Sequence, residues 1–350
     1  MTSGVSTALA DDPTTRPTLV ARVLVALAVG IASGLVAFIH LRYYERALGF
    51  DFTWPWRAAR YLLNGQNPYE LIRPVGDYPF DAYFKYPLPA ALIAVPFAGM
   101  SGPMSAAVFG GLSAALLAFA LTAETWWRLL ILASPPFAVT LFSGQWSTLA
   151  MAGALLPMLS WVAVCKPTIG LAVFAYRPNW WAILGSGVLI LASFLIQPSW
   201  LTDWLRVLRA DDLGQTYVAP VQLVGGPILL LALLRWRRPE ARYLTAISIA
   251  PHSLGFYTAF LAMLVAETRR EALLMSVSGA VAWVAFFQWL GDRKYSSLAP
   301  IHAGYWIFAF LFIPALLIVL RRPNEGRIPA RLERMIASAP SWIRGAPGII

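Results

Sequence analysis

The sequence predicts an all-α polytopic membrane protein, and three observations carry that prediction. Hydrophobic residues make up 59% of the 350-residue chain and charged residues only 13%, about half the charge a soluble domain uses to cover its surface. Mean hydropathy is +0.63. Apolar stretches follow one another almost without pause between residues 88 and 320. Together these exclude a soluble enzyme, a disordered tail and a collagen-like rod. The single cysteine, Cys165, excludes a disulfide framework and a Cys-rich metal site. His40, His252 and His302 are too scattered for a zinc site, so no metal or cofactor is expected. The formal charge of +10 calls for no nucleic acid, because arginines at membrane–water boundaries account for it.

Residues 1–18 are small and polar, lack the cationic start of a cleaved signal peptide, and are expected to form a disordered cytosolic leader. The membrane domain is expected over 19–320. Its first helix runs from Leu19 to Ile39, interrupted only by Arg22. A long polar segment, 40–86, follows. The later apolar stretches include 88–99, 104–123, 129–142, 146–164, 167–176, 180–197, 218–234, 243–266, 271–290 and 303–320. Several fall short of the roughly 20 residues a crossing helix needs. They are broken at Pro96, Pro135–Pro136, Gly144, Pro167, Pro178 and Pro251. Irregular backbone at membrane depth survives only when buried in protein or lining a wet cavity. The expectation is therefore a bundle of about ten transmembrane helices and half-helices around a polar chamber. The 243–266 stretch is expected to be a hairpin of two short segments hinged near Pro251. Residues 321–350 are expected to be a basic cytosolic tail, with Ile328, Leu332, Met335, Ile336 and Ile343 striping an interfacial helix.

Three basic clusters set the expected orientation: Arg235, Arg237, Arg238 and Arg242; Arg269 and Arg270; and Arg321, Arg322, Arg327, Arg331 and Arg334. Placing all three in the cytosol with the N-terminus satisfies the positive-inside tendency. The 40–86 segment also holds Arg42, Arg46, Arg57, Arg60, Arg73 and Lys85. Either it is cytosolic, or its charges face outward for a purpose such as holding an anionic lipid phosphate.

Within that segment, Thr53, Pro55 and Asn64-Gly65 mark a short helix by its cap, first turn and left-handed stop. It would show Trp54, Ala58, Tyr61 and Leu62 on one face and lie flat on the membrane. Asp51 stands just before it, where the helix dipole favours a negative charge. Asp51 either helps cap the helix or acts as a general base toward a hydroxyl.

Asp51-Phe52, Ala58-Ala59, Leu63, Gly65, Asn67-Pro68-Tyr69, Phe84, Tyr86-Pro87-Leu88 and Pro96 form an ordered string. Pro135-Pro136, Gly144-Gln145, Lys166-Pro167 and Pro251-His252-Ser253 extend it over residues 49–253. It resembles the polyprenol-phosphate-mannose-dependent mannosyltransferases, glycosyltransferase family 87 of the GT-C membrane superfamily. The chain reads Tyr86-Pro87-Leu88-Pro89 where the family has Tyr-Pro-Pro-Leu. The resemblance implies a GT-C-type bundle whose first loop, 40–86, is extracytoplasmic. It also implies a polyprenyl-phosphate-sugar donor, a glycolipid or glycan acceptor, and a multi-pass protein of the plasma membrane. Asp51 matches the family's loop carboxylate and is the expected base, with Tyr86 and Gln145 as sugar or acceptor contacts.

Lys166 lies in an almost uncharged stretch, where an ionisable residue faces a cavity or a partner. It either holds the donor phosphate, with Arg57 as a second candidate, or snorkels to an interface. His252 could hold the phosphate, orient the acceptor or tune Asp51, or it is structural. Gln145 either binds sugar hydroxyls or caps backbone. Asp77 and Asp81 are rival bases, read as solvated loop charges. No Asp-x-Asp pattern of the kind that holds a nucleotide sugar through a metal occurs. A transporter or lipid flippase, or a catalytically inactive relative, are the alternatives. Transporters commonly carry paired repeats, and the sequence displays none.

Overall fold

The computed structural model describes residues 16–43, 50–73, 83–210, 217–252, 255–290 and 304–326. The described residues are helical, with one isolated antiparallel bridge between Val218 and His252. Asp77, Asp81, His302, most of the expected leader and the expected interfacial helix of the tail lie outside them.

Helix α1 (Leu19–Tyr43), α5 (Gly102–Leu121) and α13 (Arg269–Leu290) are each long and apolar enough to cross a membrane. A fourth span exists if α9 (Trp180–Ile196) and α10 (Trp200–Ala210), bent by 94° at their junction, count as one. Large apolar side chains are exposed along α1, among them Leu24, Leu27, Ile31 and Leu35, a surface suited to lipid rather than water. Of the expected transmembrane helices and half-helices, these three or four are long enough to cross alone. The other apolar stretches fold into short pieces, including α4 (Leu88–Ala94), α6 (Pro135–Phe142), α7 (Ser147–Leu155), α8 (Pro167–Tyr176), α11 (Pro239–Ile249) and α12 (Phe256–Ala259). Tighter 3₁₀ segments cover Trp127–Ala133, Pro157–Cys165, Gly226–Arg235 and Phe260–Val265. Proline causes much of the division. It stands in the first turn of α4, α6, α8, α11 and the Pro157 and Gly226 segments, where its missing N–H costs no helical bond but where the preceding helix cannot continue.

α1 and α5 run antiparallel in close contact. Arg22, near the start of α1, donates to the carbonyl of Phe119 near the end of α5 at 2.9 Å. Between them small residues meet: a Cβ on Gly111 would stand 2.8 Å from the Gly30 carbonyl, and one on Gly30 would stand 2.7 Å from the Ala115 Cβ. This is the small-residue packing that lets helix backbones approach in an apolar medium.

α2 spans Phe50–Leu63, one turn earlier than the cap signal at Thr53 implied. Thr53 is therefore inside the helix, and Asp51 is in its first turn rather than before it. The expected stripe is also displaced. Phe52, Trp56, Ala58 and Ala59 are the buried face, packed on α4 and α5. Burial of aromatic rings outweighed the cap signal, so α2 is built into the protein on that face.

The 243–266 hairpin is present. α11 ends at Ile249, Pro251 and His252 form the tip, and α12 with its 3₁₀ continuation returns the chain to Val265. At the open end Arg238 grips both oxygens of Glu267, at 2.7 and 2.8 Å. Arg322, just past α14 (Gly304–Leu320), joins the same group through Glu267 at 3.2 Å and Glu271 at 2.5 Å. Arg242 donates to the Ala175 and Tyr176 carbonyls at the C-terminal end of α8. Members of two basic clusters, with acidic partners beside the third, thus form one ion-pair knot. The N-terminus of α8 and the tip of the hairpin lie at the opposite ends of their helices from this knot.

Candidate functional site

At that opposite end the breaks at Gly144, Pro167 and Pro251 come together. The Asp51 N–H donates to the Ser143 carbonyl at 3.1 Å, just past the end of α6. Gly144 follows with φ +57°, a left-handed conformation that glycine adopts without a Cβ clash. The turn closes with the Gln145 N–H on the Thr140 carbonyl at 2.9 Å, which fixes where the Gln145 side chain starts. Lys166 sits between the Pro157 3₁₀ segment and α8. Its carbonyl accepts from the N–H groups of Ile169 and Gly170, so its side chain leaves from a helix N-terminus.

These side chains meet. Lys166 Nζ donates to Asp51 Oδ2 at 2.6 Å, Gln145 Oε1 at 2.8 Å and the Tyr86 hydroxyl at 3.1 Å. The Tyr86 hydroxyl donates its own proton to the same Asp51 Oδ2. An ammonium has three protons to give, and all three have protein acceptors here. The Asp51 and Lys166 side chains remain 25% and 19% exposed, so the pair stays open to a ligand. Burial, with the Asp51 carboxylate close by, holds the Tyr86 phenol well above its ordinary value, which keeps it a proton donor at neutral pH.

Tyr86 is pinned from both sides. The Tyr69 hydroxyl, in α3 (Pro68–Leu71), donates to the Tyr86 carbonyl at 3.0 Å. Trp204 Nε1, in α10, donates to the Lys85 carbonyl at 2.8 Å. α10 is itself tied down, since Asp203 accepts from Asn67 at 3.1 Å and from Ser199 at 2.6 Å. Beneath the polar group lies an aromatic floor. Trp146 packs against Tyr86 and Phe109, and Phe109 stacks on Phe52 with centroids 3.9 Å apart.

Asp51, Tyr86 and Lys166 line a cavity of about 440 Å³, with Lys85, Trp204, Tyr217, Tyr257 and His252 among its other walls. That volume is in the range of small-ligand sites. His252 is buried, with Nε2 3.0 Å from the Ile247 carbonyl, while its own carbonyl accepts from Val218 N–H at 3.2 Å. Four residues singled out from sequence, Asp51, Tyr86, Gln145 and Lys166, are thus bonded to one another, and His252 lines the same cavity. Arg57 is not among the lining residues; its guanidinium lies 4.9 Å over the Tyr61 ring. Helical phase explains this, because Arg57 is six residues and more than one and a half turns from Asp51 on α2. Lys85, Trp204, Tyr217 and Tyr257 were not foreseen as site residues. Only Lys85 had a local signal, its place beside Tyr86. Among the described residues no group of three or more His, Cys, Asp or Glu is gathered where it could hold a metal ion.

No protein-family model, curated protein or solved structure matches this chain. The functional reading therefore rests on the site and on the sequence motifs that lead to it.

Proposed function

We propose that this chain is a membrane glycosyltransferase of the GT-C type. It moves a sugar, mannose by family default, from a polyprenyl-phosphate donor to a hydroxyl of a glycolipid or glycan. The observation that carries the reading is the Asp51–Lys166 pair, 2.6 Å apart on the wall of a cavity that also holds Tyr86, His252 and aromatic rings. A transferase of this class needs a carboxylate to receive a proton and a cation to hold a phosphate leaving group, within one sugar-sized space.

In the reaction the acceptor oxygen bonds to the anomeric carbon as the bond from that carbon to the phosphate oxygen breaks. Asp51 takes the acceptor's hydroxyl proton. Polyprenyl phosphate leaves with the electron pair and is held by Lys166 and His252, which are better sited for it than Arg57. Gln145 and Tyr86 orient the polar groups. The ion-pair knot of Arg238 and Arg322, with Arg242 beside it on the α8 carbonyls, supports an extracytoplasmic site in the plasma membrane. With that basic end in the cytosol, as the positive-inside tendency favours, Asp51 faces the other side. In the same reading, the short helices complete a bundle of about ten transmembrane helices and half-helices around the three long ones.

The test is sugar transfer from polyprenyl-phosphate-mannose in membranes containing the wild-type protein or Asp51→Asn at matched protein level. Transfer by wild type and its loss in the variant are expected. Full activity of Asp51→Asn would remove Asp51 as the base, and no transfer by wild type from this donor would remove the reading.

A further inference from the structure

The Asp51–Lys166 contact has a consequence for how this site works, and it rests on the transferase reading. We infer that Lys166 masks Asp51 until an anionic donor arrives, so that the base is released only when a phosphate is bound.

Each of the three Lys166 ammonium protons already points to a protein acceptor: Asp51 Oδ2, Gln145 Oε1 and the Tyr86 hydroxyl. A phosphate oxygen can join Lys166 only by displacing one of them. Asp51 is the one that leaves. It is the single charged acceptor, and its carboxylate and an incoming phosphate repel each other if both stay within reach of one ammonium. Gln145 and Tyr86 are neutral and are held by their surroundings, Gln145 by the Gly144 turn and Tyr86 by Tyr69 and Trp204 on either side. They keep Lys166 aimed into the cavity while the partner changes.

Before exchange, Asp51 Oδ2 accepts from both Lys166 and Tyr86, and the ammonium offsets its charge. After exchange, Lys166 offsets the phosphate instead. The carboxylate is then left to be neutralised by the proton of the acceptor hydroxyl. Charge is conserved through the cycle: the acceptor's proton ends on Asp51, and the phosphate departs as an anion paired with Lys166. A bare acceptor entering an empty cavity meets a carboxylate already engaged, which orders the reaction donor first.

The exchange predicts an unusual sign. Removing the Asp51 charge removes the competitor, so Asp51→Asn should bind polyprenyl monophosphate more tightly than wild type, by about fivefold to tenfold. Binding is read by titration of the purified full chain in detergent micelles, with inorganic phosphate as the tail-free probe. The gain should vanish when Lys166 is also replaced, as in Asp51→Asn/Lys166→Met. That double variant keeps a neutral pair and serves where Lys166→Met alone, with a part-buried carboxylate deprived of its counter-charge, fails to fold. A gain with both probes assigns the effect to the phosphate group, and a gain with the lipid alone assigns it to a lipid headgroup. Unchanged or weaker binding by Asp51→Asn, with wild type still binding, overturns the masking and leaves the transferase reading standing. Absence of binding in every variant overturns both.

Discussion

Arg238 holds both carboxylate oxygens of Glu267 across 29 residues of chain, closing the end of the α11–α12 hairpin farthest from His252. The contact also brings Glu267 to Arg322, so one carboxylate ties the hairpin to the end of α14. Glu267→Ala is expected to lower stability by about 1–2 kcal/mol, the scale of a partly exposed charged network. Thermal unfolding in detergent measures it; an unchanged midpoint would mean the hairpin is held by apolar packing alone.

The same knot contains a carboxylate in an unfavourable place. Burial, reinforced by the neighbouring Glu267 charge, raises the Glu240 carboxyl above its ordinary value. Between the ordinary value, about 4.3, and the raised one, the folded state binds a proton that the unfolded state does not. Stability therefore falls as pH rises through that window, and above it the full cost of burying the charge is present. Glu240→Gln should raise the unfolding temperature at pH 8 and lose that advantage near pH 4. A gain that persists undiminished at pH 4 would contradict the assignment.

Close contact between α1 and α5 depends on hydrogen atoms where other residues carry Cβ. Gly111→Val should wedge the pair apart, because the first added carbon already stands 2.8 Å from the Gly30 carbonyl. The expected loss is about 1–3 kcal/mol, as for other overpacked contacts. Gly187→Ala is the control, since a Cβ there has nothing within 4 Å. Equal unfolding midpoints for the two variants would refute the close-packing account.

Tyr86 links acid and base through a single oxygen. Tyr86→Phe keeps the ring on its aromatic floor while removing the proton given to Asp51 and the acceptor offered to Lys166. Under the proposed chemistry, transfer should slow by about tenfold to a hundredfold at unchanged protein level. Wild-type turnover in that variant would confine Tyr86 to packing.

How much of this was legible in the sequence varied with the range of the interactions. Proline and glycine act locally, so the breaks at Pro135, Gly144, Pro167 and Pro251 were readable and mark real element boundaries. Lys166 stood out because a charge in an apolar stretch demands a partner, Asp51 because it opens a helix, and Gln145 because it follows the Gly144 break in the ordered motif string. Their mutual bonding was not readable, because 115 residues separate Asp51 from Lys166 and no local rule pairs them. The start of α2 was misjudged for a similar reason: Thr53 looks like a cap, but burial of Phe52 and Trp56 drew the first turn into the helix. Which apolar stretches are long enough to cross alone was harder to read, because hydropathy measures how apolar a stretch is and not how far its helix runs; three do, or four with the bent α9–α10 pair. Trp204, Tyr217 and Tyr257 carried no local mark, since an aromatic residue in a membrane chain looks the same on a cavity wall as at the lipid boundary.

α8 is fastened at both ends, by the Arg242 guanidinium on its last carbonyls and by Lys166 in the hydrogen-bonded group at its start. Its ten residues then act as a ruler. Inserting or deleting one residue would turn Lys166 by about 100° around the axis and move it by about 1.5 Å, swinging the ammonium away from Asp51. Sequence drift within α8 is therefore free to change side chains on the lipid side but not to change the count, and a one-residue length variant would be a frame error in space.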